Sequence, residues 1–281
     1  MSDSLSSSAK WADLKTRIAS AIVLMGIALA ALYAPPMYQL FQLLMLAVIV
    51  IGFWELAGLC EPNMNRLRRA IVAASPVIAA LIGAVYIIAA QTTMETGGLI
   101  MGGVMLLVIG VFVRRERLLF LGYGVVLALA VTFINYLFSI LGPIGPLALV
   151  AVIAASDIAG YFAGRSFGGP KFWPRVSPKK TWSGTIAGWI ASGIAGMILI
   201  QPIMAKAPEL NLSVFAGLLI GVGLSFSGQL GDVIESAMKR KAGVKDASNL
   251  IPGHGGVLDR LDALIMAAAL AYVTMLLIRA L

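Results

Sequence analysis

Stretches of about 20 apolar residues recur along this chain, and that repetition constrains the fold more than any single motif. A run of this length crosses a hydrocarbon core roughly 30 Å thick when it is helical. Lipid offers no partner to free backbone N–H and C=O groups, so a spanning segment is either a helix or part of a closed barrel. Ten-residue stretches of alternating polarity, which would mark barrel strands, are absent. The sequence therefore predicts an all-α, polytopic integral membrane helical bundle of about nine transmembrane helices. They are placed at about 17–35, 38–59, 69–91, 98–113, 118–141, 145–165, 182–205, 211–234 and 262–281. Only 12% of the 281 residues are charged and 60% are hydrophobic, too little charge to cover a water-facing surface.

The formal net charge is +8, which on a soluble domain would suggest nucleic acid as a partner. Its placement excludes that reading. Lys10, Lys15 and Arg17 precede the first span; Arg66, Arg68 and Arg69 follow the second; Arg114, Arg115 and Arg117 follow the fourth. Arg165, Lys171, Arg175, Lys179 and Lys180 follow the sixth, and Lys239, Arg240, Lys241, Lys245 and Arg260 follow the eighth. Nineteen of the 21 basic residues thus fall on one side, leaving Lys206 and Arg279 on the other. Basic loops stay in the cytoplasm, so the expectation is an N-terminus in the cytoplasm and a C-terminus outside.

Three regions follow: a polar, mobile cytoplasmic segment at 1–16, N-terminal spans over 17–144, and a C-terminal catalytic region over 145–281. The first segment with its apolar run resembles a signal peptide in outline, but an uncleaved first span fits the charge pattern better. Cys60 stands alone, which excludes a disulfide framework. No internal repeat is visible, against a transporter built from inverted halves. The outside turns YAPPMYQ, QTTMETGG, GPIGP and QPIMAKAPEL are plain, while two cytoplasmic loops, 164–184 and 235–262, carry most of the polar chemistry.

Glu55, Asp157, Asp232, Glu235 and Asp259 lie inside spans or near their cytoplasmic ends. A carboxylate at membrane depth costs about 2.5–3.5 kcal/mol, so such residues face a polar cavity, a cation or an ion. Glu55 reads best as an interfacial cap; for Asp157 a structural and a site role are both open. In SGQLGDVIESAMKRK the eighth span continues as a helix beyond the membrane. Asp232, Glu235, Ser236 and Lys239 then share one face, either as a solvated stripe of ion pairs or as part of a site.

The loop Pro252-Gly253-His254-Gly255-Gly256 cannot be helical throughout, and its amides offer an anion nest suited to phosphate. Asp259, Arg260 and Asp262 follow at the start of the last span. Two aspartates from different helices suit a hard divalent cation, and Mg²⁺ in particular is held by one or two carboxylates with substrate phosphates and water. Glycines, basic residues and acids together match nucleotide phosphoryl chemistry. Neither GxxxxGK[ST] nor GxGxxG occurs, and one His with one Cys excludes most zinc sites. Ser177, Lys179 and Lys180 in SPKKTW sit where lipid phosphates lie, as a substrate contact or as a topogenic basic loop. Gly184-x-x-x-Gly188 and Gly217-x-x-x-Gly221 read as packing faces.

The stretch SAMKRKAGVKDASNLIPGHGGVLDRLD, 236–262, resembles the signature of the phosphatidate cytidylyltransferase (CDP-diacylglycerol synthase) family. Its fixed positions are Ser236, Lys239-Arg240, Lys245-Asp246, His254-Gly255-Gly256, Asp259-Arg260 and Asp262. Ser177 through Trp182 is similar to the family's SPKKTW segment, Gly231-Asp232 through Glu235-Ser236 to its GDxxES segment, and Asp157 with Tyr161 to its SDxxxY region. Ser183 departs, standing where many members carry a larger polar residue such as Glu.

The resemblance implies transfer of the cytidylyl group of CTP to phosphatidate, giving CDP-diacylglycerol and pyrophosphate in a Mg²⁺-dependent reaction. It also implies a homodimer in the bacterial inner membrane, with a polar cavity open to the cytoplasm and to lipid. On that basis Asp232 and Asp259 are expected metal ligands with Asp246 as the third, and a second cation is possible. Lys239, Arg240, Lys245 and Arg260 are expected to hold the triphosphate, and Lys179 and Lys180 the phosphatidate. His254, Gly255 and Gly256 would cradle pyrophosphate or orient CTP, with Ser177, Ser236, Asp157 and Asp262 as further substrate contacts. The alternatives are a CTP-dependent polyprenol or lipid kinase and a cation-coupled transporter.

Overall fold

The computed structural model describes residues 2–90, 94–174, 177–206, 208 and 212–280, apart from the side chains of 2–13, 87, 88, 90, 94–100, 178, 279 and 280. The QTTMETGG and QPIMAKAPEL turns fall partly outside the described residues, as do Arg175 and the side chains of Lys10 and Arg279. The described chain is helical almost throughout: α1 (Ser2–Tyr33), α2 (Met37–Cys60), α3 (Arg66–Ala90), α4 (Met94–Phe112), α5 (Arg117–Leu141), α6 (Ile144–Phe167), α7 (Trp182–Lys206), α8 (Val214–Lys241) and α9 (Leu258–Ala280). Among the described residues, eight of these carry a stretch long and apolar enough to cross a bilayer, and in α4 the apolar part is the shorter Met101–Phe112. The chain is a polytopic helical membrane protein.

Helix ends differ from the expected spans in instructive ways. α1 begins at Ser2, so the 1–16 segment, expected to be mobile, is helical from its second residue. Neither Gly nor Pro occurs before Gly26, and a helix nucleated in the apolar run extends backwards without a breaker. α8 runs on to Lys241, as the sequence predicted. A hairpin not anticipated from sequence lies between α6 and α7: β1 (Lys171–Trp173) pairs antiparallel with β2 (Ser177–Thr181). The SPKKT stretch is therefore a strand, and Phe172 packs edge-on against Trp182 at 4.9 Å.

The chain divides into two compact units. The first takes in residues up to Val125 together with Ala242–Arg260. Here α1 packs on α2, α2 on α3 and α3 on α4. Phe41, Phe53, Leu56, Val72 and Phe120 are buried, with Phe53 edge-on to Phe120 at 5.7 Å. Glu61 pairs with Arg68 at 3.1 Å and accepts the Arg114 N–H at 2.8 Å. Arg69 donates to the Trp54 carbonyl at 2.7 Å and stacks over the Trp54 ring. These arginines, which topology places at loop ends, also tie the helices together.

The second unit takes in Val126–Lys241 and Leu261 onward. Its helices α6, α7 and α8 approach at small residues. A Cβ on Gly184 would come 2.5 Å from the Gly160 carbonyl oxygen, and Gly196 abuts Gly217 while Gly221 abuts Ser192. Both expected small-residue faces are thus helix contacts, where backbones approach because no side chain intervenes. Ser156 and Ser225 add a buried hydroxyl pair at 2.6 Å.

Candidate active site

In the first unit the polar segment Ala242–Arg260 is folded around a tight turn. Ile251 and Gly255 exchange backbone hydrogen bonds of 2.8 and 3.1 Å, and the His254 N–H returns to the Ile251 carbonyl at 2.9 Å. The reversal needs left-handed backbone at Gly253 (φ 75°) and Gly255 (φ 83°), which a Cβ would strain.

Two carboxylates wire this turn to the helices. Asp259 Oδ2 accepts the N–H of Ala247 at 2.7 Å and of Gly256 at 2.8 Å. Glu55, fully buried on α2, accepts the N–H groups of Val257 and Leu258 and the Ser248 hydroxyl. The first turn of α9 leaves amides without helical partners, and Glu55 satisfies that of Leu258 together with the preceding Val257 N–H. The reading of Glu55 as a cap is therefore right in kind, with the capped terminus more than 200 residues away in sequence.

This wiring occupies most amides of the expected anion nest. The described amides of His254, Gly255, Gly256, Val257 and Leu258 are bonded to Ile251, Asp259 and Glu55. Gly255 instead makes room for Asp259 and Asp246, since a Cβ there would lie 2.9 Å from Asp259 Oδ2 and 3.2 Å from the Asp246 Cβ.

Beside the turn opens a cavity of about 610 Å³, lined by Arg17, Lys245, Asp246, Asn249, His254 and Arg260 among others. Three side chains of fixed positive charge face one carboxylate. Lys245, His254 and Arg260, expected as substrate contacts, come together here with Asp246. Arg17 and Asn249 were not expected. Arg17 gave no signal beyond being one of the basic residues before the first span. The His254 ring is held through Nδ1 by the Ser20 hydroxyl at 2.8 Å, and that hydroxyl also lies 3.0 Å from the Pro252 carbonyl oxygen.

In the second unit the acids gather on three helices: Asp157 on α6, Asp232 and Glu235 on α8, and Asp262 on α9. Lys180, at the end of β2, is ion-paired with Asp232. The Asp262 carboxyl lies against that of Asp232 and faces Glu235. Asp157 faces Asp232 and Lys180. Glu235 is buried and bound to Lys239 at 3.1 Å, one turn along the helix. Four carboxyls thus meet two ammonium groups, an excess that favours a cation. Ser177 and Ser236 are half-buried, and Lys179 and Arg240 are exposed.

Among the described residues no three Asp, Glu, His or Cys side chains form a closed metal cage. Mg²⁺ asks for less, keeping several waters and taking one or two carboxylates with substrate phosphates. The Asp232–Asp262 pair offers that donor set. Asp246 and Asp259 both flank Gly255 in the other unit, where Asp259 Oδ2 already serves two backbone amides.

A family model described as the cytidylyltransferase family matches residues 15–278. Among curated proteins, the phosphatidate cytidylyltransferase of Brucella suis is 50% identical over 124 residues, 44% of this chain and 44% of that protein. The phosphatidate cytidylyltransferase of Bacillus subtilis is 41% identical over 121 residues, 43% of each. The uncharacterized protein YnbB of Escherichia coli is 48% identical over 120 residues, 43% of this chain and 38% of that one. The chain thus spans less than half the length of the curated relatives it matches.

Proposed function

This chain belongs to the cytidylyltransferase family, and from that premise we propose that it transfers the cytidylyl group of CTP to phosphatidate. A phosphate oxygen of phosphatidate attacks the α-phosphorus of CTP, the α–β phosphoanhydride bond breaks, and CDP-diacylglycerol and pyrophosphate are formed. The observation that carries this reading is the likeness to proteins named phosphatidate cytidylyltransferase, at 41–50% identity over their matched stretches.

The site chemistry supports it. The nucleophile is already an anion, so the obstacle is repulsion between two phosphates and not proton removal. Lys245 and Arg260 face the cavity of the first unit and offset the charge of a triphosphate. Lys239 and Arg240 stand on α8, and Lys180 with Lys179 on β2 is suited to the lipid phosphate at the membrane edge. Asp232 and Asp262 would hold Mg²⁺ in the second unit, and Asp246 and Asp259 are the candidate carboxylates of the first. When bound, the ion neutralises developing phosphate charge and aligns the reacting oxygens.

The charge asymmetry supports a cytoplasmic N-terminus and an active face toward the cytoplasm of a bacterial inner membrane. A homodimer remains part of the proposal, tested by size in detergent. The reaction itself is tested by pyrophosphate release from purified full-length protein given CTP, phosphatidate and Mg²⁺. Release that needs both substrates is the expected result. CDP appearing without pyrophosphate would move the assignment to a CTP-dependent lipid kinase.

A further inference from the structure

We infer that the first transmembrane helix supplies a binding residue to this site: Arg17 of α1 holds a soluble phosphate chain in the cavity beside the Ile251–Gly255 turn. The inference rests on the proposed reaction and names which side chain outside the signature segment reads the nucleotide.

Arg17 lines the cavity with Lys245 and Arg260, so three cations from well-separated parts of the sequence face one space. Its position is built into the turn. A Cβ on Gly253 would lie 2.8 Å from Arg17 Cγ and 3.5 Å from the Arg17 backbone nitrogen, so the glycine leaves the path that the arginine stem takes. One turn further along α1, Ser20 clasps the same loop. Its hydroxyl lies 2.8 Å from His254 Nδ1, 3.0 Å from the Pro252 oxygen and 3.1 Å from the Arg17 oxygen. That clasp sets the height of Arg17 against the cavity and fixes the ring face of His254.

The amides of His254, Gly255, Gly256, Val257 and Leu258 are committed to Ile251, Asp259 and Glu55. Anion binding here therefore falls largely to side chains, and a planar guanidinium is the best of these for phosphate because it offers paired N–H donors. The ligand class is a di- or triphosphate chain: the tail of CTP or the pyrophosphate it releases. A lipid phosphate monoester shares the chemistry, and the kinetics separate the two sources.

The probes are inorganic pyrophosphate, titrated calorimetrically into the full chain in detergent, and initial rates with CTP and phosphatidate varied separately. Arg17→Gln is expected to weaken pyrophosphate binding and to raise the KM for CTP, each about tenfold, the value of one charge-assisted hydrogen bond. The KM for phosphatidate is expected to stay as it is. Arg66→Gln, which removes the same charge from the exposed start of α3 outside the cavity, is expected to change neither.

Ser20→Ala is expected to raise the KM for CTP by less than Arg17→Gln, with Ser20→Thr restoring it. Unchanged pyrophosphate binding in folded Arg17→Gln, or an equal loss in Arg66→Gln, overturns the inference. So does a rise in the phosphatidate KM alone, which would give the cavity to the lipid headgroup. If Arg17→Gln does not fold, Arg17→Lys keeps the stem over Gly253 and loses the fork; weaker pyrophosphate binding is again expected, and unchanged binding again overturns. Wild type that binds pyrophosphate through Arg17 but makes no CDP-diacylglycerol would sink the proposed reaction and leave this site standing.

Discussion

The Glu55 carboxylate on α2 accepts the backbone N–H of Leu258 at 2.7 Å, the first residue of α9, although 203 positions separate them in sequence. It also takes the Val257 N–H at 2.9 Å, and it is fully buried. One acidic side chain thus anchors the segment that carries Lys245, Asp246, His254 and Asp259. The acid holds the functional loop in place and need not touch a substrate.

Removing that anchor leaves buried donors without acceptors, at about 1–3 kcal/mol for each unsatisfied group. Glu55→Ala is expected to lower the thermal midpoint in detergent and to reduce turnover together. Glu55→Gln keeps one carbonyl acceptor and is expected to fall between. Full turnover and an unshifted midpoint in Glu55→Ala would show that the loop holds itself.

Gly231 on α8 faces the Asp262 region of α9. A Cβ there would lie 2.5 Å from the Asp262 carbonyl oxygen and 2.8 Å from the Met266 Cβ, and neither atom can swing aside. Gly231→Ala should destabilise by about 1–3 kcal/mol through overpacking. At Gly223, on the same helix, a Cβ meets nothing within 4 Å. There Ala should be neutral or stabilise by about 0.5–1 kcal/mol, since Gly is the costlier residue in a helix. Thermal midpoints of the two variants, read side by side, decide whether contact or propensity governs.

Glu61 provides a pH test outside the spans. Burial pushes its carboxyl up, but the Arg114 and Arg115 amides and the Arg68 guanidinium outweigh burial and hold it below its ordinary value. A carboxylate depressed on folding stabilises above its unfolded pKa, about 4.3, and loses that contribution as pH falls through the folded value. The gap in thermal midpoint between wild type and Glu61→Gln is expected to be largest near neutrality and to close below about pH 4. A gap constant from pH 7 to pH 3 would mean the residue acts through shape and not charge.

How much of this was legible in sequence follows from what each feature costs. The spans were legible because unsatisfied backbone in lipid is so expensive that only long apolar helices survive. Small-residue faces were legible too, since Gly at i and i+4 has few other uses in an apolar helix. The β1–β2 hairpin was not: strands of three and five residues leave no period to detect. Nor were the partners of Glu55, Arg17 or Lys180, because each meets its neighbour across a gap set by helix packing. The internal partners of the glycine turn were not legible either. Gly-rich amides suit a phosphate, but they suit a protein carboxylate equally well, and Asp259 and Glu55 supply one.

The acid cluster of the second unit makes the last prediction. Asp232 is paired with Lys180 and lies against Asp262, so removing either carboxyl changes a shared site and not an isolated charge. If Asp232 is a direct ligand, Asp232→Asn should abolish pyrophosphate release at every Mg²⁺ concentration while the protein keeps its thermal midpoint. Asp262→Asn keeps a hydrogen-bonding group beside Asp232 and removes a charge, so release should survive with a higher Mg²⁺ requirement. The expected rise is at least about 10-fold, because one of the two carboxylates that would hold the ion is lost while Asp232 remains. Chelation of Mg²⁺ from wild type should stop release and re-addition should restore it. Equal Mg²⁺ requirements in wild type and Asp262→Asn would leave Asp262 as a packing residue. Release that survives chelation would mean that Lys180 and its basic neighbours offset the phosphate charge unaided.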